Sequence, residues 1–118
     1  MVERLEISGV HMQISEELKK YVVKKIGQLD KFLPSKLRAD MHLEVKLKED
    51  NTKGKQSRTC EVILHLPHET LAVKETTVNI FAAVDIVEAK LKTQLKKYKE
   101  MHASPRLHQR LLAKIGRS

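Results

Sequence analysis

The chain is poor in the residues that carry most site chemistry. Its 118 residues include one cysteine, no tryptophan, three prolines and four glycines. A lone Cys60 makes no internal disulfide, and such cysteine usage suits a reducing cytosol. Four glycines hardly allow a glycine-rich phosphate cradle, and neither a G-x-x-x-x-G-K loop nor a G-x-S-x-G elbow occurs. Aromatic residues make up 3% of the chain. Tyr21, Phe32, Phe81 and Tyr98 each fall on or beside an apolar stripe, so none is spare for stacking on bases. That argues against an RRM-type sheet, and a KH-type G-x-x-G clamp is missing. The longest apolar runs fall far short of the roughly 20 residues needed to span a bilayer. Glu3 and Glu6 break up any signal-peptide layout at the start, so no leader is expected.

Charge is plentiful. Charged residues make up 32% of the chain and apolar residues 41%, which suits one domain with a modest core and a wet surface. The net charge is +8, and its placement is uneven. Residues 1–88 hold 14 Lys/Arg against 14 Asp/Glu, whereas residues 89–118 hold nine against the lone Glu100. A one-sided field of this kind suits a polyanion, either nucleic acid or an anionic membrane. The plainer alternative is a solvated helix with a basic end.

Periodicity gives the element order. Val2–Ser8 alternates with Leu5 and Ile7 on one side, as a half-buried strand does, and Gly9 then opens a turn. Ser15 is a good N-cap, followed by Glu16 and Glu17 where the helix dipole favours anions. Leu18, Val22, Ile26, Leu29 and Leu33 recur at helical spacing up to Pro34. Arg38–Lys48 is a clear strand, with Ala39, Met41, Leu43, Val45 and Leu47 on one face. Glu49–Ser57 reads as a mobile loop. Arg58–Leu66 is a third strand with Cys60, Val62, Leu64 and Leu66 inward, and Thr70–Lys74 is a short fourth. Asn79 caps a second long helix whose buried stripe is Ile80, Ala83, Val84, Val87, Leu91, Leu95 and Tyr98. Ser104-Pro105 opens a further weak helical stripe of Leu107, Leu111, Leu112 and Ile115.

The pattern predicts an α+β fold of order β-α-β-β-β-α: a four-stranded sheet with two helices on one face, plus a short basic C-terminal tail. The crossover makes the first two strands parallel, and the others form an antiparallel meander. Residues 1–102 form the domain; residues 103–118 form the tail, possessing no acid and ordered only against a partner.

Catalytic and metal chemistry find little support. His65 and His68 have H-x-x-H spacing near Cys60, but alternation on a strand sends the two histidines to opposite faces and Pro67 lies between them. Cys60 falls among core positions. Asp85 and Glu88 are one turn apart, yet Lys92 follows Glu88 by four residues, so an exposed ion-pair ladder accounts for them. No enzyme activity, cofactor, metal or small-molecule substrate is expected.

The lysines are more informative. On one continuous helix Lys20, Lys24 and Lys31 project within about 40° of each other, opposite the apolar face. On the second helix Lys92, Lys96 and Lys99 follow one flank of the stripe, while Lys90 and Lys97 follow the other. Lys25 falls in the apolar arc and packs its stem on the core. Two helices on the same side of a sheet merge their outer faces into one basic surface, and their spacing of about 10 Å suits a phosphate backbone. Structured RNA read through phosphates and shape fits better than single strands.

Two segments resemble a known family. LEISGVHMQISEELKKYVVKKIGQLDKF is similar to the first strand and helix of the ribosome hibernation-promoting factor and ribosome-associated inhibitor A family. NIFAAVDIVEAKLKTQLKKYK resembles its second helix: Ala82-Ala83-Val84-Asp85, Lys90-Leu91 and Gln94-Leu95-Lys96-Lys97 hold the family's characteristic places. The similarity covers about residues 4–102. Asn79 departs from the family's acidic cap, and the tail from Ala103 matches no family pattern. The resemblance implies a β-α-β-β-β-α domain like a double-stranded-RNA-binding domain. It further implies a cytoplasmic factor on rRNA of the small ribosomal subunit and on whole ribosomes, with no membrane partner. Such a factor blocks the mRNA and tRNA path under stress or starvation and so inhibits translation by steric exclusion. Ending at residue 118, the chain resembles the short class, without the second, dimerising domain. The RNA-facing residues expected are Lys20, Lys24, Lys31, Lys90, Lys92, Lys96, Lys97 and Lys99, with Arg106 and Arg110 of the tail. The rivals are a general structured-RNA binder or RNA chaperone, and a protein–protein module dimerising through the sheet face around His42, Ile63 and His65.

Overall fold

Alternating apolar residues build a single four-stranded sheet in the computed structural model of the chain, which describes residues 2, 4–38, 40–51, 54, 56–67 and 69–102, the Lys36 side chain excepted. The strands are β1 (Arg4–Val10), β2 (His42–Asp50), β3 (Ser57–His65) and β4 (Thr70–Thr77), in the spatial order β1-β2-β3-β4. β1 runs parallel to β2, with Leu5 opposite Leu43 and Ile7 opposite Val45. The β2–β3 and β3–β4 pairs are antiparallel, as predicted. Their registers place Leu47 opposite Cys60, Val45 opposite Val62 and Val62 opposite Val73. Leu43, Val45, Leu47, Cys60, Val62 and Leu64 are therefore buried on one face, while His42, Glu44, Lys46, Glu61, Ile63 and His65 line the other.

Helix α1 (Glu16–Lys25) starts where the sequence predicts: Leu18 N–H donates to Ser15 Oγ at 3.1 Å. It does not run to Pro34. Val2 N–H donates to the Gly27 carbonyl at 2.8 Å, and Gly27 N–H reaches back five residues to the Val22 carbonyl at 3.3 Å. A Cβ at Gly27 would lie 2.6 Å from the Val23 carbonyl oxygen, so this widened turn requires glycine. The chain continues as a 3₁₀ turn, Leu29–Phe32, and a one-turn helix α2 (Ser35–Arg38). The predicted apolar positions survive the break, since Ile26, Leu29 and Leu33 remain buried.

Strand boundaries shift as well. β1 extends through Gly9, which does not open the turn; the chain reverses at His11, whose φ is +57°. A Cβ on Gly9 would meet the Met12 carbonyl oxygen at 2.5 Å. Arg38 belongs to α2 and not to β2, while Ala39 lies outside the described residues. Pairing continues to Asp50 opposite Ser57, shortening the predicted loop. β4 runs three residues further than predicted because Thr76 and Thr77 pair with Thr59 and Arg58, with the Thr59 and Thr76 hydroxyls 2.8 Å apart.

Helix α3 (Ile80–His102) is capped by Asn79, whose Oδ1 accepts from Phe81 N–H at 2.9 Å. Its predicted stripe is buried except for Ile80, which is half-buried. α3 lies across β3 and β4 and touches both α1 and the 3₁₀ turn, so the core fills the space between one sheet face and the helices. Burial of each large aliphatic side chain there contributes about 1.5–3 kcal/mol. The tail, with Arg106, Arg110 and the Leu107–Ile115 stripe, lies outside the described residues.

Candidate nucleic-acid interface

The seam between α1 and α3 positions the lysines. Tyr21 packs edge-on against Phe81, with ring centroids 5.1 Å apart. Its hydroxyl donates to Asp85 Oδ1 at 2.5 Å. That hydrogen bond, with desolvation and the Asp85 charge, pushes the Tyr21 phenol up to about 12. Lys25 extends over the Tyr21 ring at 5.7 Å and lies 3.8 Å from Asp85. Asp85 is thus a link between helices and not a rung of an isolated ladder. The predicted i,i+4 pair is present one turn on, with Lys92 3.6 Å from Glu88.

Lys20 and Lys24 are exposed on α1, where with Lys19, Glu16, Val23 and Gln28 they line a shallow groove. Lys31 is displaced from the α1 face by the break at Gly27, so its common projection with Lys20 and Lys24 does not hold. Its ammonium instead lies 5.3 Å from the centre of the Phe32 ring, and Lys92 from α3 lies 5.5 Å from the same centre. Lys96 and Lys99 continue along the Lys92 flank of α3, while Lys97 projects on the Lys90 flank, all three exposed. Among the described residues no carboxylate pairs with Lys20, Lys24, Lys31, Lys96, Lys97 or Lys99. Lys90 is different: it is held 2.6 Å from Glu75 on β4, on the side away from α1. The resulting surface is a discontinuous ridge, rich in unneutralised cations along α1, the 3₁₀ turn and the outer part of α3.

Sequence reasoning missed three participants here. Lys19 extends the α1 group. Glu75 faces Lys90, which the strand pattern does not reveal because it ends the fourth strand at Lys74. The apolar pattern places Phe32 on or beside the stripe and gives it no role at the surface, yet it is half-buried with two lysines over its ring. The adjacency of Lys31 and Phe32 beside a helix end was the available signal.

The opposite sheet face carries a polar cluster. His42 and His65 stack at 5.3 Å, with His65 Nε2 2.7 Å from Glu44 and His42 Nε2 3.8 Å from Glu6. The hydrogen bond from His65 holds the Glu44 carboxyl below its ordinary value against the opposing effect of desolvation. Cys60 lies on the buried face, where desolvation pushes its thiol up to about 12. His68 lies outside the described residues. Among the described residues no group of three or more His, Cys, Asp or Glu is arranged to hold a metal, and no helix is long and apolar enough to cross a membrane.

A parallel β1–β2 crossover followed by a meander, with helices on one face and lysines on their outer side, defines an α+β domain found in other solved proteins. A ribosomal subunit interface protein from Coxiella burnetii superposes with a TM-score of 0.66 at 23% identity, covering 81% of this chain and 97% of that one. The N-terminal domain of Protein Y from Thermus thermophilus gives 0.60 at 25% identity, covering 79% and 94%. The chain belongs to the family described as Sigma 54 modulation protein / S30EA ribosomal protein, which matches residues 5–103. It is 30% identical over 96 residues to the ribosome hibernation promotion factor of Staphylococcus aureus (strain COL). That alignment covers 81% of this chain and 48% of the relative, so the chain spans about half the length of that protein.

Proposed function

We propose that this chain is a cytoplasmic ribosome hibernation factor that binds rRNA of the small subunit, alone and in whole ribosomes, and inhibits translation by occupying the mRNA and tRNA path under stress or starvation. The family match over residues 5–103 carries this reading. The cationic ridge supplies its physical means. Lys20, Lys24, Lys31, Lys92, Lys96, Lys97 and Lys99 meet phosphates, joined by Arg106 and Arg110 of the tail. Lys90, already facing Glu75, contributes less. Contacts to phosphate hold the domain on folded RNA without reading bases, and the domain excludes translation ligands by its bulk. The protein catalyses no reaction in this reading and needs no cofactor, metal or membrane.

The test is translation of a reporter in a purified system with the chain added at increasing ratio to ribosomes. Inhibition should be relieved by excess mRNA and initiator tRNA, and should disappear when Lys92, Lys96 and Lys99 are changed to Glu. Equal inhibition by that variant refutes the proposed surface. Equally tight binding to free double-stranded RNA would favour a general RNA binder.

A further inference from the structure

We infer that Phe32 is a positioning residue, whose ring holds Lys31 and Lys92 as a paired-ammonium site for a backbone phosphate of folded RNA. The inference rests on the RNA-facing reading above and adds to it a local site and the residue that builds it.

Lysines are held to different degrees on this surface. Lys90 is held by the Glu75 carboxylate at 2.6 Å, a contact that fixes the side chain and offsets its charge. Lys25 has both a ring, that of Tyr21, and a carboxylate, Asp85, beside it. Lys31 and Lys92 are held at 5.3 and 5.5 Å from the centre of one aromatic ring, Lys92 with Glu88 also 3.6 Å away. A ring face attracts a cation through its quadrupole but carries no net charge, and it leaves the ammonium N–H donors available. The side chains are ordered while their charge stays available to a ligand. Among the described residues only Glu88, 3.6 Å from Lys92, offsets the pair and no carboxylate pairs with Lys31, so the described cluster keeps a net positive charge.

The ring is itself well anchored. Phe32 ends the 3₁₀ turn between the buried Leu29 and Leu33 and packs partly on the core. It brings together cations from segments sixty residues apart in sequence, which α1 and α3 alone do not do once the helix breaks at Gly27. Two ammoniums drawn to one ring concentrate positive charge there, and a phosphate diester beside them offsets it. Ordering both lysines before binding lowers the entropic cost of gripping the phosphate. A leucine would fill the same half-buried space without the ring face.

The experiment measures affinity of the labelled full chain for purified small subunits, at fixed magnesium, for Phe32→Leu, Phe32→Tyr and Lys31→Gln/Lys92→Gln, and for Phe32→Leu placed in that double variant. Phe32→Leu should weaken binding about five- to thirtyfold, the scale of two exposed cation–π contacts. Phe32→Tyr should restore wild-type affinity, and Phe32→Leu should add nothing once both lysines are gone. Weakening of equal size with and without the lysines makes Phe32 merely structural and overturns the inference. So does unchanged affinity in Phe32→Leu while the unaltered chain binds, an outcome that leaves the RNA-facing reading intact. Failure of the unaltered chain to bind small subunits overturns both.

Discussion

Replacing Lys96, Lys97 and Lys99 together by glutamine removes three exposed ammoniums from the outer part of α3, and among the described residues none of them pairs with a carboxylate. Stability should barely move, because solvated surface substitutions usually stay within about 0.5 kcal/mol. The effect belongs in the salt dependence of RNA binding. Each phosphate neutralised by a lysine contributes about 0.7–0.9 to the slope of log affinity against log salt, through counterion release. Three contacts therefore make the wild-type slope steeper by about two to three units than that of the variant. Between 50 and 200 mM salt the unaltered chain should lose roughly 20- to 40-fold more affinity than the variant loses. The assay is equilibrium binding of labelled protein to small subunits across that range with magnesium held constant. Lys90→Gln is the internal control, since its ammonium already faces Glu75 at 2.6 Å and its slope should change least. Parallel lines for wild type and triple variant would refute phosphate contact by this end of α3.

Other consequences follow from groups away from the ridge. Glu44 has a folded value lowered by His65, so it stabilises the fold at neutral pH and that contribution is lost as pH falls through its depressed value. The Tm difference between wild type and Glu44→Gln should therefore shrink on acidification from pH 6 to 3; a constant difference would contradict it. Tyr21 has its phenol raised to about 12, which favours the neutral form, so its contribution is fully present below its ordinary value of about 10 and is lost as pH rises from there through about 12. Asp85→Asn should return one tyrosinate transition, followed by ultraviolet absorbance, toward about 10. Cys60 is fully buried with its thiol raised to about 12, so a thiol reagent should label it only at the rate of unfolding. Immediate labelling of the native chain would place the residue elsewhere.

The sheet and α3 were largely legible because a strong local period coincides with burial. Leu43, Val45 and Leu47 on β2, and Cys60, Val62 and Leu64 on β3, alternate without a fault, and all six are buried. Ser15 and Asn79 declare the helix starts through side-chain chemistry that acts within three residues. What escaped was set by partners distant in sequence. The helix break at Gly27 depends on Val2 N–H, and the length of β4 on its pairing with β3. The lysine inventory was readable, but its electrostatic sorting was not. Lys25 and Lys90 lie beside acids on other elements, while Lys31 and Lys92 both lie near a ring that helical periodicity places on or beside the apolar stripe.

Sedimentation of cell extract containing the tagged chain through a sucrose gradient tests ribosome binding most directly. If the chain occupies small-subunit rRNA, it should travel with small subunits and whole ribosomes, be absent from free large subunits, and move to the top of the gradient at high salt. A chain that stays at the top at low salt, or that follows large subunits alone, would contradict the proposed function.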